Sequence, residues 1–146
     1  MTPLLTGCIH APNLRIADVT VLGHGDRGIR YSVAVENAKR YWPFSRCRTS
    51  DARGEVRLRG TLSPTRSPGT VPAGSQVVVS ETDRFVRDAL PAGKTAHELV
   101  DADPGADAAE HPFLVVELQS DAPRRRCAVL QGRKAVRIPE ALRLGD

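Results

Sequence analysis

The chain has 146 residues, 40% of them hydrophobic and 26% charged, and carries a net charge of +4. That length suits one domain able to bury a core without a metal or cross-link, and the composition excludes wholesale disorder. No apolar run approaches the ~18 residues of a membrane helix, and the basic residues are interspersed with acids without a block of like charge, which argues against a nucleic-acid-binding stripe.

The first feature in chain order is Leu5-Thr6-Gly7-Cys8, an apolar residue, a small one, glycine and then cysteine. This matches the lipobox of bacterial lipoprotein precursors, in which small residues expose the bond to a signal peptidase and the thiol accepts a diacylglycerol. Only Met1–Leu4 stand before it, short of the basic region and ~7–15-residue apolar stretch of an export signal. The expectation is therefore that codons upstream of Met1 supply that stretch. A chance match in a cytoplasmic protein is the other reading. Residues 1–12 are expected to be lipobox remnant and unstructured tether, 13–140 the folded domain and 141–146 a tail.

Asn13–Leu22 reads as a strand with irregular alternation, bulged near Asp18. Gly23–Gly28 is a turn on its glycines and aspartate. Ile29–Asn37 alternates cleanly, with Ile29, Tyr31, Val33 and Val35 on one face and Arg30, Ser32, Ala34 and Glu36 on the other. Tyr41-Trp42-Pro43-Phe44 then concentrates aromatics in a loop, either a plug for the end of the fold or an exposed partner-binding patch. Cys47–Thr49 reads as a short extended piece. In Glu55–Leu62 the spacing places Val56, Leu58 and Leu62 inward, Arg57, Arg59 and Thr61 outward, and a bulge at Gly60.

Three prolines and two glycines make Ser63–Gly74 a loop, and Val77–Val79 marks another strand. The helical spacing of Phe85, Val86, Ala89 and Leu90 predicts a short helix over Thr82–Leu90, capped by Thr82 or Asp83. Thr95-Ala96-His97-Glu98 has capping-box spacing and predicts a second helical turn. Asp101–Glu110 is an acidic loop. Phe113–Gln119 and Cys127–Ile138 read as the last strands, joined by a connection that includes Arg124-Arg125-Arg126. Strands at this spacing, with polar turns and little helix, predict an all-β antiparallel sandwich with one or two short helical turns. Its core should contain Tyr31, Val33, Val35, Val56, Leu58, Val116 and Leu118.

The tests for catalytic and ligand motifs fail on their own chemistry. Gly93-Lys94-Thr95 ends like a phosphate-binding loop but has Asp88 where the first glycine belongs. Numbered from Asp101, a calcium loop would need glycine at Ala106 and glutamate at Pro112. His10, His24, His97 and His111 have no ligand spacing, and Cys47 and Cys127 lack the paired spacing of a zinc site. No catalytic, metal or cofactor residue is expected, and no small-molecule substrate. Cys47 and Cys127 have two readings. In an exported chain they form a disulfide worth roughly 4–5 kcal/mol on the loop-entropy argument; in the cytoplasm they are buried small hydrophobes.

The strand closing in Val35-Glu36-Asn37, followed by Tyr41-Trp42-Pro43-Phe44, resembles the late embryogenesis abundant type-2 domain, also called the water-stress and hypersensitive-response domain. Asn37 matches the first Asn of that family's Asn-Pro-Asn turn, with Ala38-Lys39 replacing Pro-Asn. Val71-Pro72-Ala73-Gly74-Ser75, Val129-Leu130-Gln131-Gly132 and Val136-Arg137-Ile138-Pro139 resemble later segments of the same domain. The resemblance implies an immunoglobulin-like or fibronectin-like sandwich, often a bacterial lipoprotein, associated with stress or desiccation tolerance and without an active site. The expected function is thus non-enzymatic protection in the cell envelope, with a lipid anchor on Cys8. The alternatives are an envelope adaptor that binds a protein partner through an edge strand or through Tyr41, Trp42 and Phe44, and a cytoplasmic arginine-rich nucleic-acid binder.

Overall fold

The strictest alternation in the sequence becomes the centre of a sheet. In the computed structural model, which describes residues 8–25, 28–41, 46–53, 56–66, 77–82, 89–102, 110–120 and 124–143, strand β3 (Gly28–Asn37) buries every second residue from Ile29 to Asn37. It lies between β2 (Leu14–Gly25) and β7 (Thr95–Ala102), antiparallel to both. The second sheet has the order β6 (Val77–Thr82), β5 (Val56–Ser63), β8 (Phe113–Ser120), β9 (Gly132–Arg137), also antiparallel throughout. A small parallel pair, β1 (Ile9–Ala11) with β4 (Cys47–Thr49), completes the strands. Hairpins link β2 to β3, β5 to β6 and β8 to β9, while the chain crosses between sheets elsewhere. This is the connectivity of an immunoglobulin/fibronectin-like antiparallel β-sandwich.

One core lies between the sheets. It unites Tyr31, Val33 and Val35 from β3 with Val56, Leu58, Val116 and Leu118 from β5 and β8, as the alternation predicts. The register explains their meeting: Leu58 faces Leu118, Gly60 faces Val116, and Leu62 faces Leu114. Irregularities fall near the expected places, between Ile16 and Asp18 in β2 and between Gly60 and Thr61 in β5. A second shift in β2 precedes Gly23, whose φ of 144° is a conformation only glycine adopts freely.

Opposite charges meet across the outer faces. Arg15 pairs with Glu36 across β2–β3, its Nε 2.6 Å from Oε1, and Arg30 makes a forked contact with Asp101 at 2.8 and 3.1 Å across β3–β7. Each exposed pair of this kind adds roughly 0.2–1 kcal/mol. On the other sheet Glu117 stands opposite Arg59 on one side and Arg133 on the other. Phe113 receives the guanidinium groups of Arg66 and Arg137 at 4.9 and 5.8 Å from its ring centre.

Several local expectations are corrected. Thr95–Glu98 begins strand β7 and not a helical turn, because the eight residues Thr95–Ala102 pair with the open edge of β3. Its burial alternates accordingly, with Val100 and Ala102 inward and Leu99 outward. The turn before it is real: Lys94 N–H donates to Pro91 O at 3.1 Å, and Gly93 takes the positive φ of 81° that the third position of a type II turn requires. Thr82 ends strand β6, and residues 83–88 of the expected helix lie outside the described residues. Among the described residues the short helix is α1 (Glu140–Arg143), and Leu142, read as tail, packs on the core. Cys127 lies in a turn at φ 68°, so the last strand starts only at Gly132. Thr61 is buried on the outer side of β5, where it had been expected to face solvent.

Candidate functional site

All the candidate residues that the structure describes gather at one end of the sandwich, where β2 begins and β3 stops. The segment Ile9–Asn13, expected as a loose tether, is zipped into that end. Ile9 pairs with Cys47 in the β1–β4 ladder, Ser50 N–H donates to Ala11 O at 3.1 Å, and Val129 N–H donates to Pro12 O at 2.9 Å. Leu14 N–H returns a bond to Val129 O at 2.8 Å. The physical reason is backbone satisfaction: this stretch finds partners on both sides, and Ala11 and Leu14 are buried. Cys47 and Cys127 clamp the same region with a disulfide, their Cα atoms 5.8 Å apart and 80 residues apart in sequence. Cys8, immediately before β1, is exposed and free.

Two polar side chains organise the backbone here. Asn37, wholly buried at the end of β3, uses its Nδ2 to donate to Ser50 O and Leu90 O, both at 2.9 Å. Its Oδ1 accepts from Asn13 N–H at 2.9 Å. One amide thus joins the entry to β2, the exit from β4 and the approach to β7. Arg40 reaches the other way. Its Nη1 donates to Ala11 O at 3.1 Å and Arg48 O at 3.5 Å, while Nη2 donates to Pro12 O at 3.5 Å and to Cys127 O. Partial burial pushes the Arg40 guanidinium below its ordinary pKa range. Thr49 supports the turn by donating from Oγ1 to Ala38 O at 2.7 Å and accepting from Arg40 N–H at 3.2 Å.

Around this scaffold the surface is basic. Arg46, Arg53, Lys94, Arg124, Arg125 and Arg126 are exposed on the connecting segments. Two adjoining open clefts lie beside them and share Ser120 and Gln131. One, of about 400 Å³, is lined by Arg124, Arg125, Val129 and Leu130, and the other, of about 550 Å³, by Arg57, Glu117, Gln119 and Arg133. Tyr41 is 65% exposed at the same end and Val129 42% exposed. Trp42 and Phe44, the other members of the aromatic patch, lie outside the described residues.

The structure keeps other chemically capable groups apart. Cys47 is spent in its disulfide, His97 is exposed on β7, and Asp101 is held by Arg30. Among the described residues no cluster of three or more His, Cys, Asp or Glu could hold a metal ion. The organising roles of Arg40 and Asn37 were not legible from their own spacing, since their partners lie up to 87 residues away.

No family model matches the chain, and no curated protein matches it. Among solved structures it is similar to part of DesR, a β-glucosidase from Streptomyces venezuelae, at 18% identity and a TM-score of 0.44, covering 87% of this chain and 15% of that one. It is also similar to part of a GH3 β-glucosidase from Bifidobacterium adolescentis, at 14% identity and a TM-score of 0.42, covering 87% of this chain and 17% of that one. The chain spans less than a fifth of either protein's length, and their activity is not carried over to it.

Proposed function

We propose that this protein is a non-enzymatic β-sandwich of the bacterial cell envelope, anchored through lipid on Cys8 and acting in protection against desiccation or related stress. The observation that carries the reading is the division of the cysteines. Cys47 and Cys127 are bonded to each other, a pairing at home in oxidising compartments, while Cys8 stands exposed at the point where the chain enters the fold. A lipobox cysteine needs that placement, since the anchored residue must reach the membrane without unravelling the domain. The resemblance to the late embryogenesis abundant type-2 domain supplies the protective role.

Labelling of the native protein with radioactive palmitate should tag the wild type and leave Cys8→Ser unlabelled. A native protein of unmodified mass would overturn the envelope assignment. Suppression of aggregation of an unrelated enzyme during drying supports protection, and no suppression at a several-fold molar excess removes it. The adaptor reading has its own support in the exposure of Tyr41. It requires a single saturable envelope partner whose binding is lost on Tyr41→Ala.

A further inference from the structure

The charges of this chain are sorted along the long axis of the sandwich. Segments can be assigned to the two ends by the strand termini they join. Among the described residues, those at the Cys8 end (8–13, 38–41, 46–53, 89–95 and 124–131) hold nine Lys/Arg against one Asp/Glu. Those at the opposite end (23–25, 28, 64–66, 101–102, 110–112 and 138–143) hold two against three. Sequence order hides this sorting, because each end is assembled from four separate connections. Antiparallel pairing creates it: β7 starts beside Asn37 at the basic end and carries the chain to Ala102 at the other.

We infer that the Cys8 end is a docking face for anionic lipid headgroups, which deepens the envelope reading and rests on it for biological context. Three observations converge on a membrane surface as the occupant. The exposed cations Arg46, Arg53, Lys94 and Arg124–Arg126 come from three connections at the end where the chain enters, so they present a cluster to a plane and not a stripe to a strand. The described residues of the far end carry no such excess of cations, so the charge asymmetry selects one orientation. Exposed Tyr41 and Val129 stand among the cations, an aromatic and an apolar group of the kind that settles at headgroup level. A basic patch beside a lipidated cysteine supplies the second attachment signal that makes membrane anchoring durable.

The test uses the full, unlipidated chain, so failure to find lipid on Cys8 and failure to find headgroup binding are separate results. Sedimentation with phosphatidylcholine vesicles containing phosphatidylglycerol should show binding at low salt that weakens as salt rises, with none to pure phosphatidylcholine. R124E/R125E should lower the partition coefficient by about 30-fold or more, at roughly fivefold for each surface cation lost. R66E/R137E makes the same change in net charge at the other end of β9 and β5 and should retain most of the binding. Circular dichroism checks that both variants stay folded. Absence of binding to anionic vesicles, or equal loss in the two variants, overturns the inference. Tighter binding to a DNA duplex than to vesicles, abolished by R124E/R125E, also overturns it in favour of a nucleic-acid surface.

Discussion

Replacing Asn37 by alanine removes three hydrogen bonds at a position with no solvent access. The partners fare differently. Leu90 O keeps a second donor, Ala52 N–H at 3.0 Å, so its loss is small. Ser50 O and Asn13 N–H lose the side-chain partner, and an orphaned buried backbone group costs about 1–3 kcal/mol. The expected destabilisation is therefore about 2–5 kcal/mol, a fall in Tm of roughly 10 °C for a domain of this size. Asn37→Asp sharpens the reasoning. The carboxylate can still accept from Asn13 N–H, but it turns a second oxygen toward the carbonyls of Ser50 and Leu90, and a buried unpaired charge is costlier than a small cavity. Thermal and urea unfolding should rank wild type above Asn37→Ala above Asn37→Asp. Either variant within about 0.5 kcal/mol of wild type, or aspartate milder than alanine, would refute the role of this amide as a three-way junction.

Two further outcomes follow from the same end of the molecule. Thiol titration of the unlipidated chain, unfolded and non-reduced, should detect one cysteine, Cys8, and C47S/C127S should lower stability by about 2–5 kcal/mol; detection of three thiols in air-oxidised protein would contradict the disulfide. Arg40→Lys keeps the charge but loses the planar fork that spans four carbonyls, so a loss of about 1–3 kcal/mol is expected in urea unfolding, and an unchanged midpoint would show that the fork contributes nothing.

How much of this architecture was legible in the residues depended on how local the cause was. Ile29–Asn37 and Val56–Leu62 declared themselves because a strand with one buried face writes its period of two directly into side-chain chemistry. The same holds for the bulge at Gly60, whereas Gly23–Gly25 and Gly28, expected in a turn, belong to the β2–β3 ladder. Thr95–Ala102 misled because its capping-box spacing is a short-range preference worth about a kcal/mol, whereas pairing along β3 satisfies a whole row of backbone groups. Ile9–Asn13 carries no strong period and became ordered through partners at residues 37–40, 46–50 and 129.

The sequence by itself determined the fold class, the composition of the core and the presence of a cysteine with lipobox context, since these rest on residue chemistry and near-neighbour spacing. Only the tertiary structure decided that Cys8, Tyr41, the disulfide, Arg40 and the arginine run share one end. Their meeting depends on strand order and chain reversal, which bring residues dozens of positions apart to the same strand termini. The overall charge of +4 had argued for nothing in particular. Folded, the described cations gather in excess at one end only, because antiparallel strands sort their connections by parity, and charge follows the connections.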